Sequence, residues 1–204
     1  MKRYNIHKKS IIITSITLLL LVVVSATLAY VFTKTSPLDN TFPPSQVSCA
    51  VVENGNKAVS GALVNIPASK ENVQIENTGN TDAYIRVAVV VNWMNEEGTK
   101  VWATKPGNSE YSIDYNLREG GWFNGGDGFY YFSKAVSPTS PDNLTEVLIN
   151  SATLADGVTA PTGTDNTQYY LSIEIVASAI QATPTSIVSE QWGVTVSNDG
   201  MISK

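Results

Sequence analysis

Histidine is nearly missing from this chain: of 204 residues only His7 is one, and it stands among Lys2, Arg3, Lys8 and Lys9. A zinc-protease helix needs two histidines at helical spacing, and the usual serine or cysteine triad needs a histidine base. Neither can be assembled from the residues beyond that first basic stretch. Cysteine is as scarce. Cys49 stands alone, so no intramolecular disulfide is available and the fold must rest on its core. It lies in the apolar alternation QVSCAVVE, where a small buried strand residue is expected rather than a reactive thiol, with pairing between molecules left open. Basic residues are also few. Residues 1–29 hold four of the thirteen Lys and Arg and none of the eighteen Asp and Glu, so the remaining 175 carry nine against eighteen, a net charge of −9. Such a surface repels nucleic acid, and no basic patch offsets it. Walker and dinucleotide-binding glycine patterns are absent, since GGDG at 125–128 precedes a strand pattern rather than a helix.

What is present begins with a leader. The positive residues at 2–9 are followed by an apolar run from Ile11 to Val24 that closes on Ala26, Thr27, Leu28 and Ala29. This is the plan of a signal peptide, with small residues at Thr27 and Ala29 before a cleavage between Ala29 and Tyr30. No charge falls between Lys9 and Lys34, so an uncleaved membrane anchor is the rival reading. Residues 30–44 read as an extended arm, apolar at Tyr30, Val31 and Phe32, kept out of helix by Pro37, Pro43 and Pro44, with Phe42 as an isolated anchor. Residues 45–204 suit one domain.

Within that domain the alternation is that of strands. Val73 and Ile75 alternate with Gln74 and Glu76, Asn77, Gly79, Asn80 and Asp82 carry turn chemistry, and Ile85, Val87, Val89 and Val91 share a face opposite Tyr84, Arg86, Ala88 and Val90. We read this as a hairpin whose second arm is a central strand, with Ile85, Val87, Val89, Ile173 and Ile175 in the core. Further strands are expected at Val47–Glu53, Leu63–Ile66, Lys100–Thr104, Tyr111–Tyr115, Leu144–Ile149 and Tyr169–Val176. Trp122 and Phe123 should pair with Phe129–Phe132 across NGGDG, and a small hairpin should close the chain around Asn198–Gly200. Thr183 before Pro184 predicts a single helix over Pro184–Gln191, stopped by Gly193. The pattern is all-β: an antiparallel, jelly-roll-like sandwich with one short helix, preceded by the signal helix.

Chemistry-bearing residues are sparse. Glu110 with Asp114, or Asp127 near Trp122, are the carboxylates a glycosidase could use, against the simpler reading of surface acids. Loops NGGDG and Asp165–Gln168 offer oxygen ligands without the spacing of a calcium loop. The rings Trp93, Trp102, Tyr111, Tyr115, Trp122, Phe129, Tyr130 and Tyr131 could line a carbohydrate platform or fill a core; Trp122 and Tyr130, beside the glycine loop, are the candidate binding aromatics. No catalytic residue, cofactor or metal is assigned.

Four stretches carry a resemblance: TLAYVFTKTSPLDNTF at Thr27–Phe42, NTGNTDAYIRV at Asn77–Val87, GWFNGGDGFYYF at Gly121–Phe132 and AIQATPTSIVSEQWGV at Ala179–Val194. In these the chain resembles exported Gram-positive proteins related to TasA, the biofilm matrix fibre subunit, and to camelysin. The resemblance implies a leader removed by a signal peptidase of the SipW type, secretion to the cell surface, contact with the membrane only through the leader, and partners that are copies of itself or a related fibre subunit. Camelysin-like proteolysis finds no motif here. The expected role is a matrix structural protein that self-associates or joins a fibre by β-strand exchange, with Tyr30, Val31, Phe32 and Phe42 in the donor strand. The alternative is an extracellular glycan- or protein-binding module using the aromatic hairpin.

Overall fold

The computed structural model describes residues 11, 13–23, 44–57 and 70–204. Ala29, the arm from Tyr30 to Phe42 and the strand expected at Leu63–Ile66 lie outside them. The chain divides into two compact units, Met1–Pro44 and Ser45–Lys204. In the first, residues 13–23 form helix α1, inside the apolar run from Ile11 to Val24. Ile13, Ile16 and every residue from Leu18 to Val23 are more than half exposed. Among the described residues no helix is long and apolar enough to cross a membrane.

The second unit is β-rich and antiparallel throughout its strand pairs. One sheet holds β1 (Cys49–Glu53), β2 (Asn56–Lys57), β3 (Lys70–Asn77), β5 (Tyr111–Tyr115) and β8 (Ile149–Leu154), in the order β2-β1-β3-β8-β5. The other holds β4 (Ala83–Asn95), β6 (Trp122–Asn124), β7 (Tyr130–Phe132) and β9 (Tyr169–Gln181), in the order β6-β7-β4-β9. A short hairpin, β10 (Thr195–Val196) and β11 (Ile202–Ser203), ends the chain. Val73 and Ile75 from the first sheet meet Ile85, Val87, Leu171 and Ile173 from the second in one core, which makes the pair of sheets a sandwich. A second apolar cluster lies on the outer face of the second sheet. There Tyr84 and Tyr131 are covered by Val188 and Trp192 of helix α2 (Thr185–Trp192) and by Val194 and Ile202.

Of the expected core set, Ile85, Val87 and Ile173 are buried, while Val89 and Ile175 are partly buried against the same cluster. Val87 is fully enclosed. Val87→Ala is expected to lower stability by about 1–3 kcal/mol in urea unfolding; a loss under about 0.5 kcal/mol would place that side chain at the surface.

The stretch Val73–Trp93 is strand, turn and strand, but not a hairpin. Strands β3 and β4 lie in different sheets, and the polar connection between them is an arch. β4 is already flanked. It makes thirteen successive pairs with β9 on one side and pairs with β7 on the other, leaving no edge for β3, which pairs with β1 and β8. Facing strands and adjacent strands show the same alternation, so the pattern alone cannot tell them apart.

Asn77 holds the arch. It is 1% exposed; its side-chain amide donates to the Thr81 carbonyl at 2.9 Å and the Val136 carbonyl at 2.8 Å, and its Oδ1 accepts from the Gly79 N–H at 3.0 Å. The lead into β1 lies alongside, with Thr78 N–H donating to the Ser48 carbonyl and Asn80 N–H to that of Gln46. Gly79 sits so close to the Gln46 carbonyl oxygen that any Cβ there would collide with backbone.

Three other expectations are corrected. Lys100–Thr104 is not a strand but returns against the end of β4 through a single bridge, Met94 to Val101, because Asn95 Oδ1 accepts the N–H groups of Thr99 and Lys100 and tightens the turn. The strand expected at Leu144–Ile149 starts only at Ile149. Before it, Thr145 Oγ1 accepts the Ile75 N–H at 2.9 Å, so a hydroxyl stands where a ladder carbonyl would and the chain follows β3 irregularly. Pro184 is the residue before the helix, extended at φ −78° and ψ 145°, and Thr183 gives no side-chain cap. Gly193 does end α2, in the left-handed region at φ 62°.

Candidate interaction surface

The feature that stands out is an edge. Ala83 and Val136 exchange N–H to carbonyl bonds, and the Trp93 carbonyl accepts from Trp102 N–H, so the odd-numbered residues of β4 direct their backbone groups away from β9. Consecutive residues alternate sides, hence the even-numbered residues of β4 bond β9. On β9 the partners of those residues turn inward, and Leu171, Ile173, Ile175, Ala177 and Ala179 turn their N–H and carbonyl groups outward. Among the described residues no strand pairs with them. The register between β4 and β9 runs without a bulge from Ala83↔Gln181 to Asn95↔Tyr169. The strand holds no lysine, arginine or proline, and Glu174 is its one charge. Natural sheets commonly blunt their edges with such devices; here the side chains of Leu171 and Ile173 still anchor the strand in the core.

A second opening lies on the other side of β4. Pairing with β7 stops at Val87↔Tyr130 and resumes only with the Trp93–Trp102 bond. Between them the backbone groups of Val89 and Val91 face no strand among the described residues. Tyr111, Ile113 and Tyr115 of β5, with Trp102 and Tyr130, are likewise half-buried against the core rather than sealed within it. Tyr115 and Tyr130 stack across the two sheets with ring centroids 4.5 Å apart and planes 21° from parallel. Burial, then the neighbouring Tyr130 hydroxyl, pushes the Tyr115 hydroxyl above its ordinary pKa.

The aromatic hairpin β6–β7 forms as expected, but its two named rings differ. Trp122 is fully buried; its indole N–H donates to the Glu146 carbonyl at 2.9 Å and its ring lies 5.3 Å from that of Phe132. It belongs to the core and offers no face to a ligand. Tyr130 is half-buried and committed to the stack with Tyr115. On the opposite face Tyr131 is enclosed between Phe123 and Trp192. Beside it the Arg86 guanidinium lies 4.1 Å over Phe129 and 4.8 Å over Trp192 and makes no ion pair with a described carboxylate. Sequence periodicity placed Arg86 on the outer face but carries no signal for this ring pair, which comes from two distant segments.

The acids named from sequence are engaged locally. Glu110 accepts from Gly107 N–H at 2.5 Å and Asp114 from the Asn150 amide at 3.1 Å, each on its own. Asp127 accepts from the Tyr131 hydroxyl at 2.7 Å and pairs with Lys204. Burial draws its carboxyl upward, but the bonds from Lys204, Tyr131 and Phe129 N–H together outweigh it and hold the group at about 2. Asp165, in the other oxygen-rich loop, is bonded by Lys100 at 2.8 Å and held well below the usual carboxylate range by Lys100 and Thr167. Among the described residues no three of His, Cys, Asp and Glu stand together as a metal-ligand group. Cys49 is half-buried in β1, and burial pushes its thiol pKa up. The cleavage pair Ala29 and Tyr30, and the donor residues Val31, Phe32 and Phe42, lie outside the described residues. No family model, no curated protein and no solved structure matches this chain.

Proposed function

We propose that this chain is a secreted, non-enzymatic structural protein of the cell surface or a biofilm matrix, which self-associates or joins a fibre by β-strand exchange. The observation that carries the reading is the outer edge of β9, a long strand without bulge, proline or basic residue and without a partner among the described residues. Adding a strand to such an edge satisfies its backbone groups and gains affinity without any specialised pocket. The donor in this reading is the arm of a neighbouring copy at Tyr30, Val31 and Phe32, with Phe42 as its anchor. It is released when a peptidase of the SipW type cuts between Ala29 and Tyr30, so that assembly starts only after export. The sandwich itself is of jelly-roll type, resembling TasA and camelysin in the four sequence stretches given above.

Mature protein starting at Tyr30 is expected to form fibres in electron micrographs as concentration rises, whereas deletion of Tyr30–Ser36 should leave a folded monomer. A synthetic peptide of those residues should cap growing ends. If the deleted protein assembles as well as the mature chain, donation by this arm is wrong. If the mature chain stays monomeric at every concentration, the glycan- or protein-binding alternative takes its place.

A further inference from the structure

A chain with one cysteine has no disulfide with which to join its sheets, yet two of its tyrosines meet across them. Tyr115 ends β5, an edge strand of the first sheet, and Tyr130 opens β7 in the second. Among the described residues this is the one tyrosine–tyrosine ring contact, near-parallel at 4.5 Å between centroids. Both rings are half-buried, so each is held in place by the core while an edge stays open to a small oxidant or to a radical arriving from a neighbouring ring. The other close aromatic contacts of tyrosine are with tryptophan or phenylalanine, which lack a second phenol to couple.

We propose that Tyr115 and Tyr130 form an oxidative coupling site, at which hydrogen peroxide and a peroxidase join the two phenols in a dityrosine staple between the sheets. Each phenol gives up one electron and one proton. The two ring radicals then join through a carbon–carbon bond ortho to their hydroxyls, and each ortho hydrogen moves to its oxygen to restore the phenol. The two electrons and two protons released reduce one hydrogen peroxide to two waters. Holding both rings in one stack turns the encounter of two radicals into an intramolecular event, and this proximity selects the pair over the chain's other tyrosines. The staple would tie an edge strand of the first sheet to the second sheet, a role that disulfides fill elsewhere.

The test treats dilute purified protein with a haem peroxidase and one equivalent of hydrogen peroxide. Dityrosine fluorescence is read on the monomer band of a denaturing gel, and linked peptides are mapped by mass spectrometry. The expected product is monomeric, lighter by two hydrogens, and linked between Tyr115 and Tyr130 at least about tenfold over any other pair. Tyr115→Phe and Tyr130→Phe keep the ring and remove only the hydroxyl, so both should fold, with unchanged circular dichroism, and both should lose the product. Oxidation in urea should scatter the links. Links spread evenly among tyrosines, links only between molecules, or the same yield in urea would each overturn the proposal.

Discussion

Trp122→Ala is expected to lower the stability of the domain by about 3–5 kcal/mol, because it removes a large, fully buried ring and leaves a cavity that the two sheets cannot close. The side chain is 0% exposed, its ring meets that of Phe132, and it belongs to the same core cluster as Val136 and Leu148. Its indole N–H also satisfies the Glu146 carbonyl at 2.9 Å. Trp122→Phe separates the two contributions, since it keeps most of the bulk and loses the hydrogen bond. Its cost should be clearly smaller, with about 1 kcal/mol due to the unpaired carbonyl and the rest to the lost ring volume. Urea unfolding followed by circular dichroism measures both. A loss below about 1 kcal/mol for the alanine variant would mean that the ring is at the surface after all, and Trp122 would return as a ligand-facing aromatic. Function is tied to this result: with Trp122 enclosed, Tyr130 alone remains of the two candidate binding aromatics, and it is itself occupied by Tyr115.

Asn77→Ala should cost about 2–4 kcal/mol, because the Thr81 carbonyl and the Gly79 N–H lose their partner at once, each with its own desolvation penalty, while the Val136 carbonyl loses one of its two bonds and keeps that from Ala83 N–H. The amide donates to the carbonyls of Thr81 and Val136 and its oxygen accepts from Gly79 N–H. Asn77→Asp excludes a simple cavity effect, since the shapes nearly match. An ionised carboxylate could still accept from Gly79 but would face the two carbonyls it can no longer donate to, so its cost should equal or exceed that of alanine. Hydrogen exchange at Ala83 and Val136, whose backbone bonds start β4, should quicken in both variants. If either variant unfolds within about 0.5 kcal/mol of the parent, the arch is held by its backbone bonds and not by this side chain.

Much of the domain was legible as local pattern. The period of two from Ile85 to Val91 marked a strand covered on both sides, and β4 is indeed central. Turn glycines and asparagines marked the β6–β7 hairpin and the closing hairpin, both of which form, and Gly193 stops the helix in a conformation that costs glycine least. Less was legible at the candidate surface. Trp122 and Tyr130 stand in the same aromatic stretch and read alike, yet one is sealed and the other half-open. That difference depends on Glu146 and Tyr115, which arrive from other segments.

By itself, then, the sequence determined the residue-level facts: which positions alternate, where the chain can turn, that no histidine lies beyond residue 7 and that no disulfide can form within the chain. These follow from side-chain chemistry and from backbone constraints that act over a few residues. Only the tertiary structure decided that β3 and β4 face each other instead of pairing, that the outer edge of β9 is left without a partner among the described residues, and that Tyr115 meets Tyr130 across the sheets. Each of these depends on which distant strand wins a shared edge or a shared pocket. A period of two records the face a side chain takes and carries no label for the neighbour on either side.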